Sequence, residues 1–468
     1  MPNAPQSLPF DAADPKAALA QLPQSAAVFA LYAAEAHAEP YIGRTPNLRA
    51  RLERLLQPSP KHPRRLQLAS RVRRIEWHAT GSEFESLLTQ FSLLEQVYGA
   101  KALERMHLKA PAFVRFLGGN PYPRVTVTHR PSQREADWCY GPFPSRAAAE
   151  RYVDEALKLF LLRRCTDDLD PNPAHPGCVY SEMKMCLAPC YQGCSDERYA
   201  QESAAVESFL ATRGESRLVT LRAQRDQASA SLEFETAAAL HAQVQRAESV
   251  RALAPELVRP MSQLRAVILQ PSATADEVAV FLFDRGILSG PRAFSTLGMR
   301  IQNEQSGSSS LFAQPMALEP VPEDSGSGGQ GSGARDQGSG NLDQEAPTDQ
   351  TLSQGTSQGA GDAADDNELL TDGSPGVKGK AAFAKLPRTI LESRLESALA
   401  NLAEPADAAS PTVRQGHLAL LKRWYYRPEI RRMGEIIFPD SSGHWPQKAI
   451  LRGIGRIAAK SLVRENPS

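Results

Sequence analysis

The chain has 468 residues, enough for several domains, and its 53 Lys+Arg balance 53 Asp+Glu, which excludes a uniformly basic or acidic protein. Residues 1–20 lack a basic start followed by an apolar run, and no segment approaches the roughly 18 apolar residues of a membrane span. A cytoplasmic protein with no membrane partner is therefore expected.

The balance of charge hides a gradient. Residues 41–75 hold ten Arg/Lys and a single acid, Glu53. Such a stretch is the electrostatic footprint of a phosphate-backbone site. Five of the six cysteines fall between Cys165 and Cys194, with Cys139 apart. Clustered thiols in a large chain point to metal ligation in a reducing compartment rather than to a disulfide framework.

In chain order, residues 1–24 read as a flexible lead-in. Two short strands are expected at 26–33 and 40–43, then a helix at 47–56 with Thr45 as cap, Pro46 in its first turn and Leu48, Leu52, Leu55 and Leu56 on one face. A third strand at 72–77 and a helix over Glu83–Tyr98, burying Phe84, Leu87, Leu88, Phe91 and Leu94, complete a β-β-α-β-α unit over 25–105. Residues 106–195 connect it, through an extended segment at 124–128 and a helix at 147–160, to a Pro- and Gly-rich cysteine loop. Residues 196–253 are helical. Within 254–302, the apolar, β-branched runs 266–269 and 278–283 suit strands. The Gly/Ser/Gln/Asp-rich stretch 303–381 cannot bury enough surface to offset chain entropy and reads as a long disordered linker. Residues 382–468 read as a separate tail of two helices, 388–402 and 417–424, followed by an aromatic and basic segment. The fold class is α/β.

Three constellations carry resemblances. The first unit holds Tyr41-Ile42-Gly43, preceded by Ala27-Val28-Phe29 and followed by Asn47-Leu48-Arg49-Ala50-Arg51. It resembles a GIY-YIG nuclease domain whose first signature is degraded. Cutting a phosphodiester needs an activated water, a cation for the developing charge and usually a divalent metal. The resemblance implies Tyr41, Arg44 and Arg51 in catalytic positions and Arg44, Arg49, Arg51 and Arg54 on the DNA. The departures matter more. Phe29 lacks a phenolic oxygen, Arg44 stands for the usual lysine, and Gln90 replaces the metal-binding glutamate, leaving a weak metal candidate. Mg2+ or Mn2+ is expected only if the nuclease is active, with Glu83 or Glu85 as substitute ligands misplaced by part of a turn.

The second constellation is Gly141-Pro142-Phe143, then Leu162-Arg163, then Cys165-x12-Cys178-x7-Cys186-x3-Cys190. Four thiolates in one loop suit an iron–sulfur cluster or zinc. The pattern is similar to that of the UvrC family, which implies a 4Fe-4S cluster on Cys165, Cys178, Cys186 and Cys190, with zinc as the alternative. Cys194 is an extra thiol, and Cys139 reads as core. The third constellation, Leu232-Glu233-Phe234-Glu235 with Ala237, Ala238 and Leu240, resembles a UVR helical hairpin. That implies UvrB as a partner, docked through Phe234, Ala237 and Leu240, although His241-Ala242 replace the usual Arg-Asp pair.

Residues 264–300 resemble the lead into an RNase H-like nuclease domain, of which only partial strands are expected; its carboxylate-rich site is missing. Near the end, Leu451-Arg452-Gly453-Ile454-Gly455 reads either as half a helix-hairpin-helix or as a plain helix. Trp424, Tyr425, Tyr426, Arg431 and Arg432 read as a packed aromatic cluster or as a base-stacking surface. Together these resemblances imply a UvrC-like protein of nucleotide excision repair, related to the nuclease component of excinuclease ABC. It would join UvrB through the UVR hairpin and grip double-stranded DNA with Arg44, Arg49, Arg51 and Arg54, its GIY-YIG site being weak or inactive. The rival is an active nuclease making the 3′ incision, and a more distant one is an adaptor that uses the hairpin alone.

Overall fold

A computed structural model describes residues 5–35, 37–56, 68–299, 386–403 and 410–465. The expected linker, 303–381, lies outside them. The described residues build three four-stranded sheets with helices between them. The architecture is mixed α/β, as expected.

The first sheet has the order β1-β4-β2-β3, all neighbours antiparallel, with β1 Gln6–Pro9, β2 Ala27–Ala33, β3 Tyr41–Thr45 and β4 Val72–Ala79. Residues expected as a flexible lead-in belong to this unit. β1 pairs with β4, and helix α1 (Pro15–Ala20), together with Phe10 and Leu22, buries side chains in the same core. A four-residue strand is too short to show a period, so its pattern is silent in the sequence. Helix α2 (Leu48–Leu56) lays Leu48, Leu52 and Leu56 against Phe29, Leu31 and Ile75. Its cap is Asn47, whose Oδ1 accepts from the Ala50 N–H at 3.0 Å; the expected Thr45 instead takes the Asn47 N–H at 3.2 Å, shaping the turn before the helix.

Helix α3 (Glu83–Tyr98) has the expected limits because both ends are signalled locally. Ser82 Oγ accepts from the Glu85 N–H, and Gly99 ends the helix at φ +55°. Its burial goes beyond the five expected apolar residues, since Glu85, Ser86 and Thr89 are also buried. The helix is covered on two sides, by its own sheet and by the third.

The second sheet, β6-β5-β7-β8, joins β5 (Ala112–Phe116), β6 (Val125–Thr128), β7 (Cys139–Phe143) and β8 (Arg259–Pro260). Helix α4 (Arg146–Ala156), capped by Ser145, and helix α5 (Asp196–Ala211) close its core around Tyr140, Phe143, Tyr152, Phe160 and Phe209. The helix expected at 147–160 ends in a 3-10 turn, Leu157–Leu159. Cys139 lies in the apolar core, as expected, and burial pushes its thiol up to about 11. Helices α6 (Glu215–Ala230) and α7 (Phe234–Ala252) form an antiparallel hairpin seamed by Leu218, Leu221, Val244 and Ala247.

The third sheet reunites two segments that the sequence separates. β9 (Arg265–Pro271), β10 (Glu277–Asp284) and β11 (Ile287–Ser295) form a meander, and β12 (Glu435–Ile437) adds to β9 in the order β11-β10-β9-β12. Helices α8 (Arg388–Leu402) and α10 (Gln447–Glu465) cover the face of Val267, Leu269, Val278 and Val280. Helices α3 and α9 (Pro411–Tyr425) cover the face of Ile268, Phe281 and Phe283. A sheet buried on both faces needs apolar residues at every position, which is the unbroken run seen in the sequence.

This packing decides the readings left open at the chain's end. The glycines at 453 and 455 lie inside the continuous helix α10, so the helix-hairpin-helix reading is overturned. A Cβ at Gly453 would stand 2.7 Å from Leu269 Cδ1, so this glycine lets the helix approach the sheet. Trp424 is buried, with its Nε1–H donating to the Met433 carbonyl at 2.9 Å, and Tyr426 Oη donates to the Pro142 carbonyl at 2.8 Å. The aromatic cluster packs the core. Among the described residues no helix is long and apolar enough to cross a membrane.

Candidate functional site

The signature strands β2 and β3 pair antiparallel with Phe29 opposite Gly43. The ring of Phe29 lies so close over Gly43 that a Cβ there would be 2.8 Å from its Cζ. Phe29 is buried in the α2-facing core, where a phenolic oxygen would need a partner. Tyr41 is 42% exposed, its ring centroid 6.1 Å from that of Phe29. The pleat turns alternate residues to opposite faces. Tyr41 and Gly43 therefore share the α2 side, while Ile42 packs on the core of the third sheet and Arg44 reaches Glu83 at the start of α3.

The arginines differ in their freedom. Arg44 Nη1 stands 3.5 Å from Glu83, a carboxylate already held by two hydrogen bonds from Arg427 at 2.6 and 2.8 Å. The bond from Arg427 is the main reason the Glu83 carboxyl sits below its ordinary range. Arg49 Nε donates to the Leu22 carbonyl at 2.7 Å and so ties α2 to α1. Arg54 Nε donates to the Ala50 carbonyl within its own helix. Arg51 is exposed, with no ion pair among the described residues. Gln90 is half-buried on α3. The substitute ligands are both engaged: Glu83 by Arg427, and Glu85 by the Gly81 N–H at 2.8 Å. Burial pushes the Glu85 carboxyl up to about 7. No hydrogen bond or ring contact joins Tyr41, Arg51 and Gln90 among the described residues.

The cysteine loop is built by unusual backbone. Cys178 precedes the short helix Val179–Glu182, its N–H donating to Ser181 Oγ at 3.0 Å. Cys190 sits in the 3-10 turn Pro189–Tyr191, flanked by Ala188 at φ +57° and Gln192 at φ +62°. Left-handed backbone at non-glycine residues is uncommon and persists only where the surroundings impose it. The Ala188 N–H donates to Cys186 Sγ at 3.1 Å, and the Asn172 N–H to the Cys190 carbonyl at 3.0 Å. Burial, then the neighbouring Cys178, Cys165 and Cys190, raise the Cys186 thiol; burial, Cys178 and Cys165 raise that of Cys190. The four expected cysteines thus converge within electrostatic reach of one another. Cys194 answers instead to burial and to Arg198 and Asp196. Among the described residues no three His, Cys, Asp or Glu side chains stand as a group that could hold one metal ion.

A residue that motif reading named without a role completes this site. Arg163 is 1% exposed. Its Nε donates to the Tyr122 carbonyl at 2.9 Å and its Nη1 to the Asp167 carbonyl at 2.8 Å, and Nη1 also lies 3.6 Å from Cys165 Sγ. Its Nη2 is buried with no acceptor among the described residues. An orphaned cationic donor beside converging thiols fits a group that brings negative charge into the loop.

Residues 113–209, from β5 through the cysteine loop into α5, match the family UvrC/Cho excinuclease, middle domain. The chain is a UvrC-like protein. UvrABC system protein C of Alcanivorax borkumensis is 31% identical over 211 residues, 45% of this chain and 34% of that protein. The same protein of Aliivibrio fischeri is 28% identical over 239 residues, 51% and 39%. That of Pseudomonas syringae is 31% identical over 231 residues, 49% and 37%. The UvrC-like chain spans little more than a third of the length of these curated relatives in the matched regions. No solved structure matches it.

In this UvrC-like protein the α6–α7 hairpin ends in exposed apolar residues. Phe234 is 68% and Leu232 71% exposed, the latter at φ +60° in the turn. Ala237 and Leu240 are half-buried, while Val244 and Ala247 are in the seam. Arg222 bridges to Glu248 at 2.7 Å across the two helices. The base of the hairpin is closed by its own core, and its tip has no apolar cover among the described residues.

Proposed function

We propose that the chain is a nucleotide excision repair protein related to the UvrC component of the excinuclease, one that binds duplex DNA and a UvrB partner and has a GIY-YIG site that is weak or inactive. The observation that carries this is the family match laid over the four-cysteine loop. The matched stretch contains all four cysteines of the loop. Cys165, Cys178, Cys186 and Cys190 would hold a 4Fe-4S cluster. Tetrahedral zinc gathers its thiolates about 2.3 Å from a single ion. The paired C-x2-C knuckles common in zinc sites do not occur among these four cysteines, which favours the cluster. Such a cluster, when bound, would supply a rigid cross-link for the loop and a redox-active charge.

The inactive reading rests on what occupies each catalytic position. Phe29 fills the place of a phenol, Gln90 offers no carboxylate, and Glu83 and Glu85 are committed elsewhere. The active reading is favoured by one observation, the exposure of Tyr41 and Arg51 on the α2 side. The test is a lesion-bearing duplex loaded with UvrB, with this chain and Mg2+ or Mn2+ added. A stable ternary complex without a nick is expected. A nick 3′ of the lesion that Arg51→Ala abolishes would establish the active reading.

The hairpin tip is where we place the UvrB contact. Binding energy at helix contacts concentrates in a few aromatic anchors, each worth about 2 kcal/mol or more when truncated. Phe234→Ala is therefore expected to weaken UvrB binding by at least tenfold in a titration, with the unfolding midpoint unchanged because the side chain is exposed. Unchanged affinity would remove the hairpin from the interface.

A further inference from the structure

A buried guanidinium needs an explanation. Removing a charge from water costs several kcal/mol unless it is paired and hydrogen-bonded. Arg163 is the largest fully buried side chain, and no carboxylate pairs with it among the described residues. Two backbone carbonyls, of Tyr122 and Asp167, satisfy part of it. The remaining polar neighbour on its Nη1 is Cys165 Sγ at 3.6 Å, and its Nη2 has no acceptor among the described residues. The main chain of Arg163 is also fixed: its N–H donates to Tyr199 Oη, which donates in turn to the Pro123 carbonyl. Tyr199 is buried and stands within reach of both Cys165 and Cys186. The guanidinium is thus held beside the thiols, its Nε and Nη1 on backbone carbonyls, the same Nη1 also at Cys165 Sγ, and its Nη2 left over.

Four thiolates outweigh the positive charge of the metal they bind, whether the centre is iron–sulfur or zinc. A buried centre of that kind carries net negative charge into a medium where charge is expensive. We propose that Arg163 is the fixed counter-charge of the four-cysteine centre: it donates to Cys165 Sγ, and its orphaned Nη2 finds its acceptor only when the centre is bound. This rests on the metal-centre reading above. Arg163 acts as a positioning residue. It takes no ligand place, but it lowers the cost of burying the centre and biases its electronics. Partners in this outer layer commonly alter metal affinity 10–100-fold. A fixed cation also favours the more negatively charged, reduced form of a cluster and so raises its potential.

The test compares wild type, Arg163→Lys and Arg163→Gln in the full chain. Each is reconstituted anaerobically with iron and sulfide and, separately, loaded with zinc. Metal per chain, the rate of loss to a chelator and, for the cluster, the midpoint potential are measured. Folding is checked by far-UV circular dichroism. Arg163→Gln is expected to lose the centre at least tenfold faster than wild type and to shift the cluster potential to more negative values. Arg163→Lys, which keeps the charge but not the planar fork, should retain the potential more closely. Arg163→Gln matching wild type in both retention and potential would overturn the inference and leave the centre standing. If both substitutions loosen the loop equally while the potential stays at the wild-type value, Arg163 is a strut only, and the inference fails. Wild type that takes up neither iron nor zinc overturns the centre and the inference together. Should Arg163→Gln not fold, Arg163→Lys decides: a folded lysine variant that drops the centre as fast as Cys165→Ser rules out the charge as the cause.

Discussion

Phe281→Ala is expected to destabilise the chain by about 3–5 kcal/mol, the usual range for removing a fully buried aromatic ring. Phe281 has no exposed surface, and its ring meets Phe84 of α3 edge-to-face at 5.3 Å. The same helix brings Phe91 to 5.6 Å from His417 of α9. A Cβ at Gly416 would lie 2.1 Å from the Phe91 ring, so the two helices have no slack between them. Gly81, just before α3, likewise sits where a Cβ would be 2.1 Å from the backbone of Ser272 in the third sheet's turn. A cavity at Phe281 therefore opens between α3 and the third sheet and cannot be closed by a local shift. Denaturant unfolding gives the cost. Hydrogen exchange shows its reach: amides of 83–98 should lose protection together with those of 265–284. A cost below about 1 kcal/mol, or loss confined to the third sheet, would mean that α3 is held by its own unit alone.

Glu85→Gln should stabilise the chain at about pH 8 by up to about 3 kcal/mol and do nothing below the ordinary carboxylate range. Glu85 is raised from 4.5 to about 7 because burial penalises its charge, and the Gly81 N–H offsets this only in part. A raised carboxyl holds its proton longer in the folded state. Its contribution to stability is full below pH 4.5 and is lost as pH climbs to about 7. His417 runs the other way. Burial lowers it from 6.5 to about 4, and its neutral Nδ1 accepts the Leu288 N–H at 3.0 Å. The unfolded chain takes up that proton first, so the His417 contribution is full above pH 6.5 and is lost as pH falls to about 4. Between 4.5 and 6.5 the two slopes oppose, and wild-type stability should be nearly flat with pH from these groups. The glutamine keeps a carbonyl oxygen for Gly81 and removes one slope. Its stability should then fall steeply toward acid. Urea midpoints across this range decide the matter: an equal gain at every pH would show that packing, not ionisation, is what Glu85 costs.

Local sequence was enough to determine what is decided within a few residues. The limits of α3 follow from Ser82 and Gly99, those of α8 from its apolar spacing, and the buried strands β9 and β10 from their unbroken apolar runs. The spacing of Cys165, Cys178, Cys186 and Cys190 was the most specific of the motifs that carried the family resemblance, and the exposure of Phe234 was legible only as what the hairpin motif implied. Tertiary structure alone decided what depends on neighbours distant in the chain. β12 is three residues long and becomes a strand only because β9 offers it an edge across more than a hundred residues. Glu85 and Glu83 look alike in sequence, yet one is buried beside Gly81 and the other is exposed to Arg44 and Arg427, so their carboxyls shift in opposite directions. Arg163 reads as one basic residue of a motif until the fold shuts it beside Cys165. Periodicity reports which face of an element is apolar, whereas the cost of a buried charge is set by what the rest of the chain places against it.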